Sequence, residues 1–173
     1  MDFPPRKGFS LIEVLIGLVI MGVLVSLGAP AFRDLLMDLR VRSAATGFER
    51  VLRHARREAI THRRTVRICP SGNGVNCDPR QPWENGWISY TDRQGGPDRD
   101  ELDPLLRVFG PRRDLAIHFN GGDRISINAL GRISRNASLD FCAENLSHPG
   151  IRLVMIHSGR LRMVDPSPVC GTL

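Results

Sequence analysis

The chain begins with a long apolar segment that contains a single charged residue. From Phe9 to Phe32 the only charged side chain is Glu13. A helix rises about 1.5 Å per residue, so this run can cross a hydrocarbon core of roughly 30 Å. Arg6 and Lys7 precede it, and such cations usually stay on the cytoplasmic side. The pattern predicts a membrane-spanning helix with the rest of the chain on the far side.

After Pro30, apolar residues recur at three- and four-residue steps, which is typical of a helix with one buried face. The opposite surface carries arginines. The pattern predicts that the helix continues to about residue 62 and lies against a sheet. The apolar positions are Val41, Ala44, Ala45, Phe48, Val51, Leu52, Ala55 and Ala59, and the arginines are Arg42, Arg50, Arg53, Arg57 and Arg64.

Beyond the helix the chain consists of short β-rich runs, most of them separated by glycine, proline or asparagine. A long helix followed by antiparallel strands predicts an α+β fold, with the helix packed on an antiparallel β-sheet. After the anchor, the remaining length suffices for one domain of modest size. The predicted strands are 65–69, 86–91, 105–109, 115–119, 125–128, 138–143, 151–157 and 160–164.

The position of Gly8 distinguishes this N-terminus from a secretory signal peptide. A signal peptide has a shorter apolar region and is cut after it, whereas Gly8 precedes the apolar run. Cleavage after Gly8 would leave the membrane segment in place and give Phe9 a free amine, one helical turn from Glu13. A carboxylate near a bilayer costs a few kcal/mol unless it is paired, and this amine, from the same or a neighbouring subunit, is the nearest partner. The alternative is a tolerated interfacial glutamate in a simple anchor.

The sequence Lys7-Gly8-Phe9-Ser10-Leu11-Ile12-Glu13 closely resembles the leader junction of type IV prepilins and type II secretion pseudopilins. In that family a prepilin peptidase cuts after the glycine and N-methylates the next residue, here Phe9. The glutamate at the fifth mature position, here Glu13, guides subunits into the filament. The resemblance implies a single-pass inner-membrane protein with a periplasmic domain, which later joins other pilins in a pilus or pseudopilus. It divides the chain into a leader (1–8), a membrane and filament-core helix (9–32) and a pilin-like globular domain (33–173).

Four cysteines lie beyond the membrane segment, where disulfides are stable. The pairing closest along the chain joins Cys69 to Cys77 and Cys142 to Cys170, and the sequence leaves the other pairings open. A zinc site is the competing interpretation. The cysteine spacings and the histidines do not fit zinc-finger register, so no metal is expected.

Residues 66–92 resemble the FimT/FimU/GspH group of minor pilins and pseudopilins. Members of that group often have a cysteine-containing strand, a short loop to a second cysteine, a tryptophan, and a Gly-Trp strand that ends in aspartate. The resemblance implies a filament subunit.

The chain is basic, with a formal net charge of +6. Removal of residues 1–8 takes away two cations and one acid and leaves +5, and every remaining cation is arginine. Arginine is suited to forked contacts with phosphate. For the arginines from Arg40 to Arg64, however, a solvated helix face is the favoured interpretation.

The C-terminal run from Met155 to Asp165 carries the candidate for phosphate binding. Ser158-Gly159 predicts a two-residue hairpin turn. Alternation then places Arg160 and Arg162 on one face, with His157 diagonally or directly opposite, while Leu161 and Met163 face the other way. The competing interpretation is an ordinary hairpin with solvated arginines.

Gly159-Arg160-Leu161-Arg162 matches the Gly-Arg-x-Arg motif of DNA-binding FimT-like minor pilins. The resemblance implies contact with DNA during natural transformation, through Gly159, Arg160, Arg162 and His157. We expect phosphate contacts with little sequence preference, because no element suited to base readout is visible. Weaker candidates for the same patch are Arg132, Arg135 and Arg152.

Two other classes of function compete with DNA binding. A structural minor pilin or pseudopilin would initiate or cap the filament, and its arginines would be incidental. An enzyme is not expected, because the histidines are scattered and no nucleophile and base are paired, and no cofactor is expected either. Residues 98–103 contain acids that a calcium loop could use, but they lack the glycine and distant glutamate of an EF-hand, which favours a solvated turn.

Overall fold

The computed structural model describes residues 10–96, 98–112, 114–143 and 150–170. Its contacts divide the chain into two compact units, Met1–Leu36 and Met37–Leu173. The predicted cleavage and methylation residues, Gly8 and Phe9, lie outside the described residues.

The first unit is the first part of helix α1 (Leu11–His62), which is continuous and includes Pro30. The N–H groups of Glu13 and Val14 donate to the carbonyl of Ser10, which closes the first turn. The helix has the length and composition of a membrane span: its most apolar window has a mean hydropathy of 2.5, and none of that window is buried. The apolar segment predicted from the sequence is therefore helical and exposes its side chains.

The second unit contains the rest of α1 and all of the β-structure. The apolar stripe predicted from the sequence is confirmed, because every one of its positions is buried, and α1 ends at His62, as its periodicity predicts. Phe48 lies at the centre of the stripe. Its ring centroid is 4.7 Å from that of Trp87 and 5.8 Å from that of Phe141.

The β-structure forms two antiparallel four-stranded sheets, with the orders β3-β2-β1-β5 and β4-β6-β7-β8. The predicted α+β fold, a long helix packed on antiparallel β-structure, is confirmed, and the sequence left the number of sheets open. The chain forms two because β5 returns to pair with β1, whereas β4 pairs with β6. The strands are β1 (Thr65–Pro70), β2 (Trp87–Asp92), β3 (Leu105–Phe109), β4 (Leu115–Phe119), β5 (Ile125–Ile127), β6 (Ala137–Ala143), β7 (Ile151–Met155) and β8 (Leu161–Val164).

Phe48 links α1 to both sheets, since Trp87 belongs to β2 and Phe141 to β6. A single turn of 3-10 helix, Trp83–Asn85, adds a third aromatic contact, with the rings of Phe48 and Trp83 at 5.9 Å. The helix and both sheets thus share one apolar core.

Both disulfides have the sequence-local pairing, Cys69–Cys77 and Cys142–Cys170. The first ties the end of β1 to the following loop, beside Ile88 and Tyr90. The second ties β6 to the C-terminal segment. Cross-links of this kind stabilise a domain chiefly by restricting its unfolded chain.

Tyr90 is the only tyrosine of the chain and is fully buried. Burial raises the pKa of its phenol above 10.0, although nearby Arg67 opposes the shift. The neutral form therefore stabilises the folded state below pH 10, and this contribution is lost as the pH rises through the pKa of the folded state. We expect the phenolate absorbance of the native domain to rise at higher pH than that of the chain unfolded in guanidinium. Titration at the same pH, with unchanged circular dichroism, would contradict this.

Candidate functional site

The predicted DNA-binding motif lies on the hairpin formed by β7 and β8. The prediction of a two-residue turn was wrong: Met155 pairs with Leu161, and Ile156 and Arg160 close a three-residue loop, His157–Gly159. The N–H of Gly159 donates to the carbonyl of Ile156 at 2.7 Å, and Gly159 has φ +81°. A turn followed by a left-handed glycine is the usual form of a three-residue hairpin loop, so the extra residue follows from the conformational freedom of Gly159.

Arg160 and Arg162 lie on the same face of the hairpin, as the alternation predicts. Both are exposed, whereas Leu161 and Met163 are half-buried against the core. Neither arginine forms an ion pair with an acidic side chain in the part of the chain that the structure describes. Two cations are thus available at this tip for an anionic ligand.

Two hydrogen bonds hold His157 in the loop. Its backbone N–H donates to Oδ1 of Asn136 at 2.6 Å, and its ring Nδ1 lies 2.5 Å from the carbonyl oxygen of Ile133. These bonds tie the loop to the segment before β6. His157 therefore contributes to the shape of the loop.

Arg152 does not belong to this patch, because its charge is used within the sheet. Its guanidinium donates to both carboxylate oxygens of Asp140 across β6 and β7, at 2.7 and 3.1 Å. The Asp140 carboxylate is buried and also accepts a hydrogen bond from Ser167. The hydrogen bonds with Asp140 raise the pKa of Arg152. The pair is a structural element of the second sheet.

Arg132 and Arg135 lie between β5 and β6, and both are exposed. Arg132 follows a turn in which the N–H of Gly131 donates to the carbonyl of Asn128 at 2.8 Å. Arg135 lies near Asp123, whose pKa is lowered mainly by its hydrogen bond with Arg124 and to a smaller extent by Arg135. Among the described residues, Arg132 forms no ion pair, so its charge is available to a ligand.

Arg56, which sequence reasoning missed, holds the hairpin loop against α1. Its Nη1 donates to the carbonyl of Gly159 at 3.0 Å, and its Nη2 to that of Ser158 at 3.3 Å. A Cβ on Gly131 would lie 2.9 Å from Nε of Arg56, and one on Gly159 would lie 2.5 Å from the carbonyl oxygen of Gly131. Glycines at both positions therefore allow close packing. Arg56 is four residues from both Leu52 and Ile60, at the edge of the apolar stripe, and that position is the signal that could have identified it.

We expect Arg56→Met to lower the free energy of unfolding of the domain by about 1 to 3 kcal/mol, because methionine keeps the apolar stem but loses the two donors to loop carbonyls. Urea denaturation measures this change. Arg57→Met is the matched control, since Arg57 is exposed and forms no ion pair in the described part of the chain; it should change stability by no more than about 0.5 kcal/mol. Equal effects of the two substitutions would contradict the role of Arg56.

A groove of about 830 Å³ lies between α1 and this loop. Its apolar lining consists of side chains from α1, β5, β8 and the segment before β6. Arginines of α1 and of the loop also line it. The lining includes Leu52, Ile60, Ile127, Ile133 and Leu161, together with Arg53, Arg56, Arg57 and Arg160.

The acidic stretch 98–103 forms a turn, as the sequence favoured, and it is ordered by internal hydrogen bonds. The Asp103 carboxylate is buried and accepts the backbone N–H of Arg93 at 2.7 Å, while Oδ1 of Asp100 accepts that of Leu102 at 2.8 Å. Glu101 and Leu102 are exposed at its tip. Within the described ranges, no three His, Cys, Asp or Glu side chains are grouped to hold a metal ion.

The predicted assembly residue, Glu13, lies in the first turn of α1 and is exposed. It lies within the apolar segment, and the next acid along the chain is Asp34. Its proposed partner, the amine of Phe9, is outside the described residues.

Two protein families match this chain. The family described as "Type II transport protein GspH" matches residues 44–159, and the "Prokaryotic N-terminal methylation motif" matches residues 4–29. No curated protein sequence matches the chain.

Several solved structures share the fold. The type IV minor pilin FimU of Pseudomonas aeruginosa PAO1 is 20% identical with a TM-score of 0.59, and the match covers 76% of this chain and 94% of FimU. The solution structure of E. coli GspH is 18% identical with a TM-score of 0.55, covering 76% of this chain and 92% of GspH. The minor pseudopilin EpsH from the type II secretion system of Vibrio cholerae is 11% identical with a TM-score of 0.54, covering 75% and 99%.

The structural matches support the fold, and the GspH family match spans more than half of the chain. The chain therefore belongs to the GspH family and carries the prokaryotic N-terminal methylation motif.

Proposed function

We propose that this chain is a minor subunit that initiates or caps a filament of N-methylated pilins or pseudopilins. The observation that carries the proposal is the first part of α1, which exposes apolar side chains along its length and has one acid, Glu13, in its first turn. Such a surface is unfavourable in water, so it requires lipid or neighbouring apolar helices. A filament core supplies those helices after the membrane has supplied the lipid.

In this proposal the chain is inserted into the inner membrane with its domain on the periplasmic side. Prepilin peptidase cuts between Gly8 and Phe9 and methylates Phe9. The Glu13 carboxylate then pairs with the N-terminal amine of an adjoining subunit, which offsets the cost of keeping both charges in an apolar environment.

The test is to express Glu13→Leu in filament-forming cells from which the wild-type gene for this chain has been deleted. Leucine preserves helix propensity and removes the charge. The substitution leaves the N-terminal amine of the adjoining subunit without its partner, and an unpaired charge near a bilayer costs a few kcal/mol. We therefore expect the incorporation of the variant into sheared filaments to fall by about tenfold or more. Immunoblots of the filament and membrane fractions measure this ratio.

Ser26→Ala is the matched control for Glu13→Leu. Ser26 is exposed on the same part of α1, and its hydroxyl donates to the Val23 carbonyl one turn earlier at 2.8 Å. This variant should enter filaments normally. Normal incorporation of Glu13→Leu would contradict the proposed role of the carboxylate. If the amount of Glu13→Leu protein in the membrane fraction itself falls, the defect lies in membrane insertion or retention, which precede assembly.

Non-specific DNA binding is a second candidate function, favoured by Arg160 and Arg162, which are exposed and form no ion pair among the described residues. Their guanidinium groups lie on one face of the hairpin tip, and Arg132 from the adjacent turn is a further exposed cation. Forked donors of this kind suit phosphate oxygens and carry no base preference. In a filament, several weak contacts could add through avidity and hold DNA for uptake during natural transformation.

A further inference from the structure

We propose that the groove between α1 and the β7–β8 loop receives the 98–103 turn of a second copy of this chain. This inference goes beyond the filament role and does not depend on DNA binding. It rests on the chemistry of two surfaces that the same chain carries.

The groove combines an apolar lining with unpaired positive charge. Ile60 is 47% exposed at its edge, so it offers apolar surface to a ligand. Arg57 and Arg160 also line it, and neither forms an ion pair within the described residues, whereas Arg53 is bound to Glu49 at 2.6 Å. A phosphate backbone would use the arginines but not the apolar lining. The groove therefore fits a ligand that has both an acid and an apolar side chain.

The 98–103 turn carries that combination at its tip. Leu102 is 63% exposed, and the adjacent Glu101 is exposed and forms no ion pair in the described part of the chain. The turn is held in shape from within: Arg99 donates to the Asp103 carbonyl at 3.1 Å, and the Asp103 N–H donates to the Asp100 carbonyl at 3.2 Å. A pre-ordered turn loses little conformational entropy on binding.

The two surfaces are complementary in charge and in size. A groove of about 830 Å³ has room for a leucine side chain and its neighbouring backbone. With Leu102 against Ile60 and Leu161, Glu101 comes within reach of Arg57 and Arg160. Each side then covers a large apolar side chain and neutralises an unpaired charge.

The two surfaces use different residues, so the contact is heterologous. In a pair, one copy still has an unoccupied groove and the other an unoccupied turn. Further copies can therefore add at either end, so the assembly extends rather than closes. The contact is too small to be strong alone, because stable interfaces bury about 1,200 Å² or more. It becomes effective when membrane anchors or a filament raise the local concentration of the chains.

The test is cross-linking of the full chain in membranes, with Ile60→Cys and Leu102→Cys in one polypeptide. A short bis-maleimide leaves the two disulfides intact. On gels it should produce cross-linked dimers and a ladder of larger cross-linked oligomers. Adding Glu101→Arg should abolish the ladder, because it places a cation beside Arg57 and Arg160. These substitutions lie outside the membrane-spanning part of α1, so they should leave insertion of the anchor unchanged. Loss of the cross-link can therefore be distinguished from the loss of filament incorporation expected for Glu13→Leu.

The matched control combines Ile60→Cys with Val108→Cys, since Val108 is 54% exposed and lies in the strand after the acidic turn. Each single cysteine variant reports random collision. A ladder confined to the Ile60 and Leu102 pair, and lost with Glu101→Arg, supports the proposal. No ladder, an equal ladder with Val108, or cross-linking of Ile60→Cys only to a different filament protein overturns it.

Discussion

Replacing Arg160 and Arg162 together by glutamine is expected to abolish measurable DNA binding by the domain from Met37 onward at moderate salt. The two side chains are exposed on one face of the hairpin, whereas Leu161 and Met163 pack against the core, so the change should remove charge without unfolding the domain. Each phosphate contact contributes a salt slope of about 0.7 to 0.9 log units per tenfold salt. At low salt, any residual binding should therefore have a slope shallower by about 1.4 to 1.8.

Arg80→Gln with Arg107→Gln is the matched control for this double variant. Both arginines are exposed, and neither side chain has an ion pair in the part of the chain that the structure describes. The control removes the same net charge from other surfaces, so it separates a local site from a general effect of a basic domain. Mobility shifts or NMR titration at two salt concentrations measure the difference. Equal binding by the two double variants, or no binding by the wild type, would contradict a DNA site at the hairpin.

The sequence predicted the parts of the fold that depend on local periodicity. The buried face of α1 matched at every predicted position, because a three- and four-residue repeat can bury only one face of a helix. The eight strands were also predicted, with small differences in their bounds, as in β5, which ends at Ile127 rather than residue 128. Alternation correctly separated Arg160 and Arg162 from Leu161 and Met163.

Features that depend on residues far apart in the chain were not predicted. The pairing of β5 with β1, which produces two sheets, depends on which strand has a free edge. The local pattern of apolar and polar residues does not determine which strands pair. The partner of Arg152 is Asp140, brought opposite it by the register of β6 and β7. The partners of Arg56 are carbonyls of a loop about one hundred residues later. Charged residues were therefore the hardest to assign, because their roles depend on partners that only the fold brings close.

Arg56 also holds the candidate DNA-binding tip in place within the second unit. It lies on α1 and bonds to the loop that presents Arg160, while Gly131 packs against its guanidinium. The hairpin is a fixed feature of the domain surface, not a loosely attached arm.

Phe48→Ala is expected to destabilise the domain more than the other substitutions considered, by about 3 to 5 kcal/mol. Phe48 is 2% exposed, and its ring contacts those of Trp83, Trp87 and Phe141. Truncation would leave a cavity where the helix and both sheets meet, and no single neighbour can fill it without moving an aromatic ring from its other contacts. Because domains of this size are typically stable by only about 5 to 15 kcal/mol, a large part of the stability would be lost.

Urea denaturation followed by tryptophan fluorescence measures this change, since both tryptophans of the chain lie beside Phe48. Leu130→Ala is the control: Leu130 is 70% exposed, so its truncation should change the free energy of unfolding by no more than about 0.5 kcal/mol. Phe48→Leu should fall between the two, because leucine fills part of the cavity. A loss below about 1 kcal/mol for Phe48→Ala would mean that the two sheets are held together chiefly by other contacts. In that case the disulfide between Cys142 and Cys170 would be the next contribution to measure, because it ties β6 to the C-terminal segment independently of the aromatic cluster.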